Sequence, residues 1–159
     1  MKKLIIGLLF CVGSFTVCAQ SPAALIPAFK FYTAQNTGFT KAQIPKGKQS
    51  LFVFFDGTCS HCQKAMTTIA SRHKELDKIN VYLVSLDEFK TIDYFMSHYG
   101  KALIGLKNVS LLQDRDRVFI PLFKPLKYPA MFLYAADQRL KIYSSEEQDI
   151  SKIFSMLKS

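Results

Sequence analysis

Leu51-Phe-Val-Phe-Phe55 is an unbroken apolar run, stopped by Asp56-Gly57-Thr58, and a helical period starts directly behind the stop. Side chains of an extended strand alternate between its two faces, so five consecutive apolar residues need cover on both. A strand in the middle of a sheet with layers above and below meets that need. Behind the turn, Cys62, Ala65, Met66, Ile69 and His73 fall at i, i+3, i+4, i+7 and i+11, one face of a helix.

The two patterns keep alternating down the chain. Residues 81–86 read as a second buried strand, with Asp87 as the cap of the helix after it. Ile92, Phe95, Met96 and Tyr99 give that helix an inward stripe, and Gly100 stops it. Residues 109–112 form a third short strand that ends in the polar turn 113–117. Residues 130–134 and 140–143 flank Asp137-Gln138 as an antiparallel hairpin. Ser144 and Glu147 stand at capping-box spacing ahead of a last helix that buries Ile150, Ile153, Phe154 and Leu157. This order requires right-handed crossovers and a mostly parallel sheet between helices, to which the hairpin adds antiparallel strands. The expected class is α/β, a three-layer α/β/α sandwich around a mixed central sheet.

The first fifty residues are of a different character. Lys2 and Lys3 precede an apolar stretch from Leu4 to Val17, and Val17-Cys18-Ala19 follows, the pattern of a secretory signal peptide. The stretch is shorter than the ~20 residues that a bilayer span needs. Residues 1–19 are therefore expected to be removed on export to the periplasm; an uncleaved segment would tether the protein to a membrane. Residues 20–47, with Pro22, Pro27, Gly38, Pro45 and Gly47, read as an N-terminal extension with turns, and 48–159 as the folded domain. Cleavage takes two of the 21 Lys and Arg and two of the four Cys, leaving a net charge of +7 and only Cys59 and Cys62. The remaining positive residues are scattered without interleaved aromatics, which excludes a nucleic-acid partner. Their densest group is Arg115, Arg117, Lys124 and Lys127.

Cys59-Ser60-His61-Cys62 sits at the passage from buried strand to helix. A sulfur at a helix start meets unpaired N–H groups and the positive dipole end, which favour the thiolate. The thiolate is the form that attacks disulfides, so Cys59 is the candidate nucleophile. Cys62, one turn deeper on the apolar face, is the candidate resolving thiol. Ser60 and His61 are supporting residues; a positive imidazole beside Cys59 stabilises the reduced pair and makes the disulfide more oxidising.

Other uses of two thiols stand beside this one. A staple closing so short a loop removes little denatured-state entropy. Zinc needs two further ligands, and the chain holds only His61, His73 and His98 besides. Copper bound by the two thiols would take His98 as its third ligand.

The segment Phe52-Val-Phe-Phe-Asp-Gly-Thr-Cys-Ser-His-Cys-Gln-Lys64 resembles the active-site segment of thioredoxin-fold proteins, in particular exported bacterial thiol–disulfide oxidoreductases. Lys127-Tyr-Pro-Ala-Met-Phe-Leu-Tyr134, followed by Asp137 to Leu140, is similar to that family's cis-proline strand and hairpin. Leu111 to Asp116 looks like the strand and turn of its redoxin branch. The resemblance spans roughly residues 48–158 and implies that Pro129 is cis and faces the cysteines, with Tyr128 and Pro129 as substrate-binding residues. Three departures mark this chain. Thr58 stands where a Trp often precedes the first Cys, Val53 where thioredoxins bury an acid, and the bulky Tyr128 where a small residue is common.

The resemblance implies exchange with protein thiols or disulfides in the cell envelope, without a metal or organic cofactor, by a monomer that draws on a redox partner protein. CxxC proteins span about −270 to −120 mV. His61 points to the oxidising half and the redoxin likeness to the reducing half, towards which the reading leans. A thiol-based copper or zinc carrier and a non-catalytic binding module of the same fold are the alternatives.

Overall fold

The computed structural model describes residues 21–158. The leader segment, with Lys2, Lys3, Cys11 and Cys18, lies outside the described residues. Strands β1 (Lys30–Tyr32), β2 (Gly38–Thr40), β3 (Ser50–Phe55), β4 (Asn80–Ser85), β5 (Val109–Gln113), β6 (Ala130–Tyr134) and β7 (Leu140–Ser144) form one sheet in the order β2-β1-β5-β4-β3-β6-β7. Its helices are α1 (Ser60–Ser71), α2 (Phe89–Tyr99), α3 (Phe119–Phe123) and α4 (Ile150–Ser155). β3, β4 and β5 run parallel, with Leu51 opposite Val81 and Val81 opposite Val109. β6 joins β3 antiparallel and carries β7 as its hairpin partner.

β3 is buried at every position, and its alternation divides the interior in two. Leu51, Val53 and Phe55 enter one core with the inward stripes of α1, α2 and α4. Phe52 and Phe54 enter the other, which is covered by α3 and by Ile26, Phe29, Phe31 and Ile44 of the N-terminal segment. The α/β class and the mixed sheet expected from the sequence are thus observed, with the second layer made mostly of aromatic rings. Phe119 stacks on Phe54 at 4.2 Å and on Phe123 at 4.1 Å, and Phe29 on Phe31 at 4.4 Å. Offset and edge contacts among such rings add to the area they bury.

α3 is five residues long and too short to form on propensity alone. Asp114, fully buried at the end of β5, starts it: its carboxylate accepts the N–H groups of Val118 (2.9 Å) and Phe119 (2.7 Å). Burial holds that carboxyl above the usual carboxylate range, while the two N–H donors pull the other way.

Several local expectations are corrected. The N-terminal extension supplies β1 and β2, and Tyr32 of β1 pairs with Gln113 of β5, so this segment finishes one edge of the sheet. Asp87 does not cap α2; Glu88 occupies that position, and the Asp87 carboxylate is bonded elsewhere. Ser144 and Glu147 form no capping box. Ser144 donates to Asp149 and accepts the Glu146 N–H, because the helical turn begins two residues later than the spacing implies. α1 ends at Ser71, which leaves His73 in the following 3-10 turn, its Nδ1 3.0 Å from the Ala70 carbonyl oxygen.

Replacing Phe119 by Ala removes a fully buried ring between two stacked neighbours and is expected to cost about 3–5 kcal/mol in chemical denaturation. Ile120→Ala, at a neighbouring side chain 46% exposed, is expected to stay within about 0.5 kcal/mol of the parent.

Candidate active site

The turn between β3 and α1 is fixed by its own polar groups. The Asp56 carboxylate accepts both the N–H (2.7 Å) and the hydroxyl (2.6 Å) of Thr58, an Asx turn that leaves the chain ready to enter a helix. The Cys59 N–H donates to the Asp56 carbonyl (3.2 Å), and the Cys59 carbonyl accepts the N–H of Gln63, the first helical bond. From the next loop, Asp87 Oδ2 accepts the Gly57 N–H (2.8 Å) and the Ser85 hydroxyl (3.0 Å). Glycine at 57 is dictated by this approach, since a Cβ there would stand 2.8 Å from Thr91 Cγ2. Asp56 is thus a turn residue, and Asp87 a second holder of the turn that sequence reasoning took for a helix cap.

Cys59 is the N-cap residue of α1, with extended backbone (φ −78°, ψ 118°), and is half-buried. Its sulfur makes no capping bond. Cys62, one turn on, is 1% exposed, and both thiols are free. The Asp56 N–H points at Cys62 Sγ (3.5 Å). Burial pushes the Cys62 thiol far above the ordinary thiol range, and Cys59 and the Asp56 charge act in the same direction, against the lowering by the Asp56 N–H. The two sulfurs are therefore chemically unlike: one reaches solvent at a helix opening, the other is held as a neutral thiol beneath it.

Tyr128 and Pro129 arrive from the loop before β6, and the peptide bond between them is cis. Pro129 is buried and Tyr128 half-buried, its ring 4.8 Å from that of Phe54. Burial first, then the charges of Asp56 and Asp87, push the Tyr128 hydroxyl up to about 12, so it stays a neutral donor at physiological pH. His61, Tyr128 and Pro129 share one groove of about 160 Å³, so one of the two candidate supporting residues meets both substrate-binding candidates there, in a lining that includes neither cysteine. Ser60 is exposed at the first helical position, outside that lining. Of the basic group, Lys127 also lines the groove and pairs with Glu146 (2.5 Å), while the Arg115 guanidinium lies over the Tyr32 ring. Glu147, a residue without a sequence signal at this site, lies 3.2 Å from His61 Nδ1.

His98, the third ligand of the copper alternative, is in the last turn of α2 with Nδ1 2.7 Å from the Tyr94 carbonyl oxygen. Among the described residues, no three His, Cys, Asp or Glu side chains gather into a group able to hold a metal ion. No described helix is long and apolar enough to cross a membrane.

A parallel-cored mixed sheet with paired thiols at the start of α1 defines a thioredoxin-like oxidoreductase. The chain belongs to the AhpC/TSA family, which matches residues 22–142. Solved structures similar to it include a secreted disulfide oxidoreductase of Mycobacterium tuberculosis homologous to Escherichia coli DsbE, at 18% identity over 81% of this chain and 96% of that one, with a TM-score of 0.62. DsbF of M. tuberculosis gives 17%, 87%, 99% and 0.66 on the same measures. A thiol-disulfide oxidoreductase of Bacteroides fragilis gives 13%, 84%, 98% and 0.67. At these identities the likeness is one of fold. No curated protein matches the sequence.

A thiol raised in the folded protein destabilises the fold at alkaline pH, because only the unfolded chain gains by ionising it. Below the ordinary thiol value of 9.0 both states keep the proton, and Cys62 contributes no pH dependence. Above it, the reduced protein is expected to lose about 1.4 kcal/mol per pH unit relative to Cys62→Ala. Parallel urea-denaturation curves for the two proteins from pH 8 to 10.5 would contradict a buried neutral thiol.

Proposed function

We propose that the protein is an exported thiol–disulfide oxidoreductase that reduces disulfides of partner proteins in the cell envelope. The carrying observation is the inequality of the two sulfurs: Cys59 half-buried at the opening of α1, Cys62 fully buried one turn below. The Cys59 thiolate attacks a partner disulfide, forms a mixed disulfide and releases one partner thiol. Cys62 then gives up its proton and displaces the second partner sulfur from Cys59. Two electrons and two protons pass to the partner, and a Cys59–Cys62 disulfide remains. The groove lined by His61, Tyr128 and Pro129 is taken as the seat of an extended partner segment.

Support for export comes from the signal-peptide pattern of residues 1–19, and the M. tuberculosis neighbour is described as secreted. The three named neighbours are described as disulfide oxidoreductases or as DsbF, and the reading carries their chemistry to this chain. A redox partner protein restores the dithiol after each cycle.

Cys62→Ala is expected to accumulate disulfide-linked adducts with envelope proteins on a non-reducing gel, and Cys59→Ser to form none. A glutathione titration of the parent is expected to place the pair below about −200 mV, in the reducing half of the range for such proteins. Equal trapping by both variants would remove the assigned order of attack, and a midpoint near −120 mV would reverse the direction.

A further inference from the structure

His61 lies between the two cysteines in sequence, and its side chain is 66% exposed, yet its ring is held. Nδ1 lies 3.2 Å from Glu147 Oε2. Glu147, whose side chain is only 26% exposed, comes from the 3-10 turn Glu147–Asp149 ahead of α4, 86 residues along the chain. Its second oxygen is 3.9 Å from Lys64 Nζ, one helical turn past His61 on α1. Across the groove, Lys127 is occupied by Glu146. The charged groups around the imidazole are therefore Glu147 with Lys64 behind it, and the Lys127–Glu146 pair.

A carboxylate accepts hydrogen bonds and has none to give, so the nitrogen facing it carries the proton. In the neutral imidazole the lone pair is then left on Nε2. His61 also lines the groove with Tyr128 and Pro129, where a partner segment would lie.

We propose that Glu147 is a positioning residue that selects the His61 tautomer with a free Nε2, and that this nitrogen takes the proton from a partner thiol in the groove. The assignment rests on the redox reading above and concerns the step that restores the dithiol. The partner thiol passes its proton to Nε2, and its sulfur attacks Cys59 Sγ of the oxidised pair. A partner–Cys59 disulfide forms, the Cys59–Cys62 bond breaks, and its electron pair goes to Cys62 Sγ. Cys62, in surroundings that disfavour a thiolate, takes up a proton, while the imidazolium releases one to water. In the reverse direction the same nitrogen protonates the leaving partner sulfur.

The test uses the full chain with its pair oxidised and reduced glutathione as the thiol, with trapping by alkylation and detection by mass. Glu147→Ala is expected to slow mixed-disulfide formation about tenfold at pH 7, as His61→Ala does, and the double variant to be no slower than His61→Ala. Nitrogen-15 spectra of the neutral ring are expected to show the Nδ1–H tautomer in the parent and its loss in Glu147→Ala. A parent rate in Glu147→Ala, an equal slowing in the His61→Ala background, or an unchanged tautomer overturns the proposal. In each of those cases an active parent and a Cys59→Ser variant that forms no mixed disulfide leave the redox reading standing. A parent disulfide that glutathione does not open removes that reading itself.

Discussion

The hydrogen bond from the Gly57 N–H to the Asp87 carboxylate is the contact on which the arrangement at the active end depends. It ties the turn carrying the nucleophile to the loop leaving β4, and the Asx turn at Asp56 ties the same turn to itself. With both in place, the chain reaches Cys59 in extended geometry and turns helical at Ser60. The depth of Cys62 then follows from helical pitch, one turn into a core that already holds Val53, Phe55 and Met66. The difference between an open thiol and a buried one is a property of where the helix starts.

The sheet supplies the rigidity beneath that turn. β3 has no exposed position and pairs on both sides, parallel to β4 and antiparallel to β6. Pro129 immediately precedes β6, whose Ala130 pairs with Phe54, so the groove loop and the cysteine turn are anchored to adjacent strands. The aromatic core on the far face closes against the same strands through Phe52 and Phe54. Large rings fill this layer with few side chains, which is how a five-residue helix and an irregular N-terminal segment replace full-length helices there.

What was legible in the sequence was what periodicity encodes locally. The run 51–55, the α1 stripe from Cys62 to Ile69, the α2 stripe and the hairpin around Asp137-Gln138 appear where their patterns place them, and only His73 falls past the end of its helix. β1 and β2 were not legible, because three residues carry no alternation and their place is set by pairing with each other and with distant β5. α3 was hidden for a different reason: Phe-Ile-Pro-Leu-Phe has no polar face to mark a period, and its start depends on a buried carboxylate. At the site, both cysteines and His61 could be named from spacing. Asp87 and Glu147 could not, since a carboxylate beside a helix start reads as a cap until the fold shows what it faces.

The ends of the sheet have a bearing on how this protein meets others of its kind. One border is the three-residue β2, and the other is β7, whose pairing with β6 is broken by an irregularity at Leu133 and Tyr134. A short border and a kinked one are poor templates for a foreign strand, because neither offers a long, flat ladder of unpaired amides. For a chain whose central strands are so apolar, borders of this kind disfavour side-by-side pairing of one sheet with another.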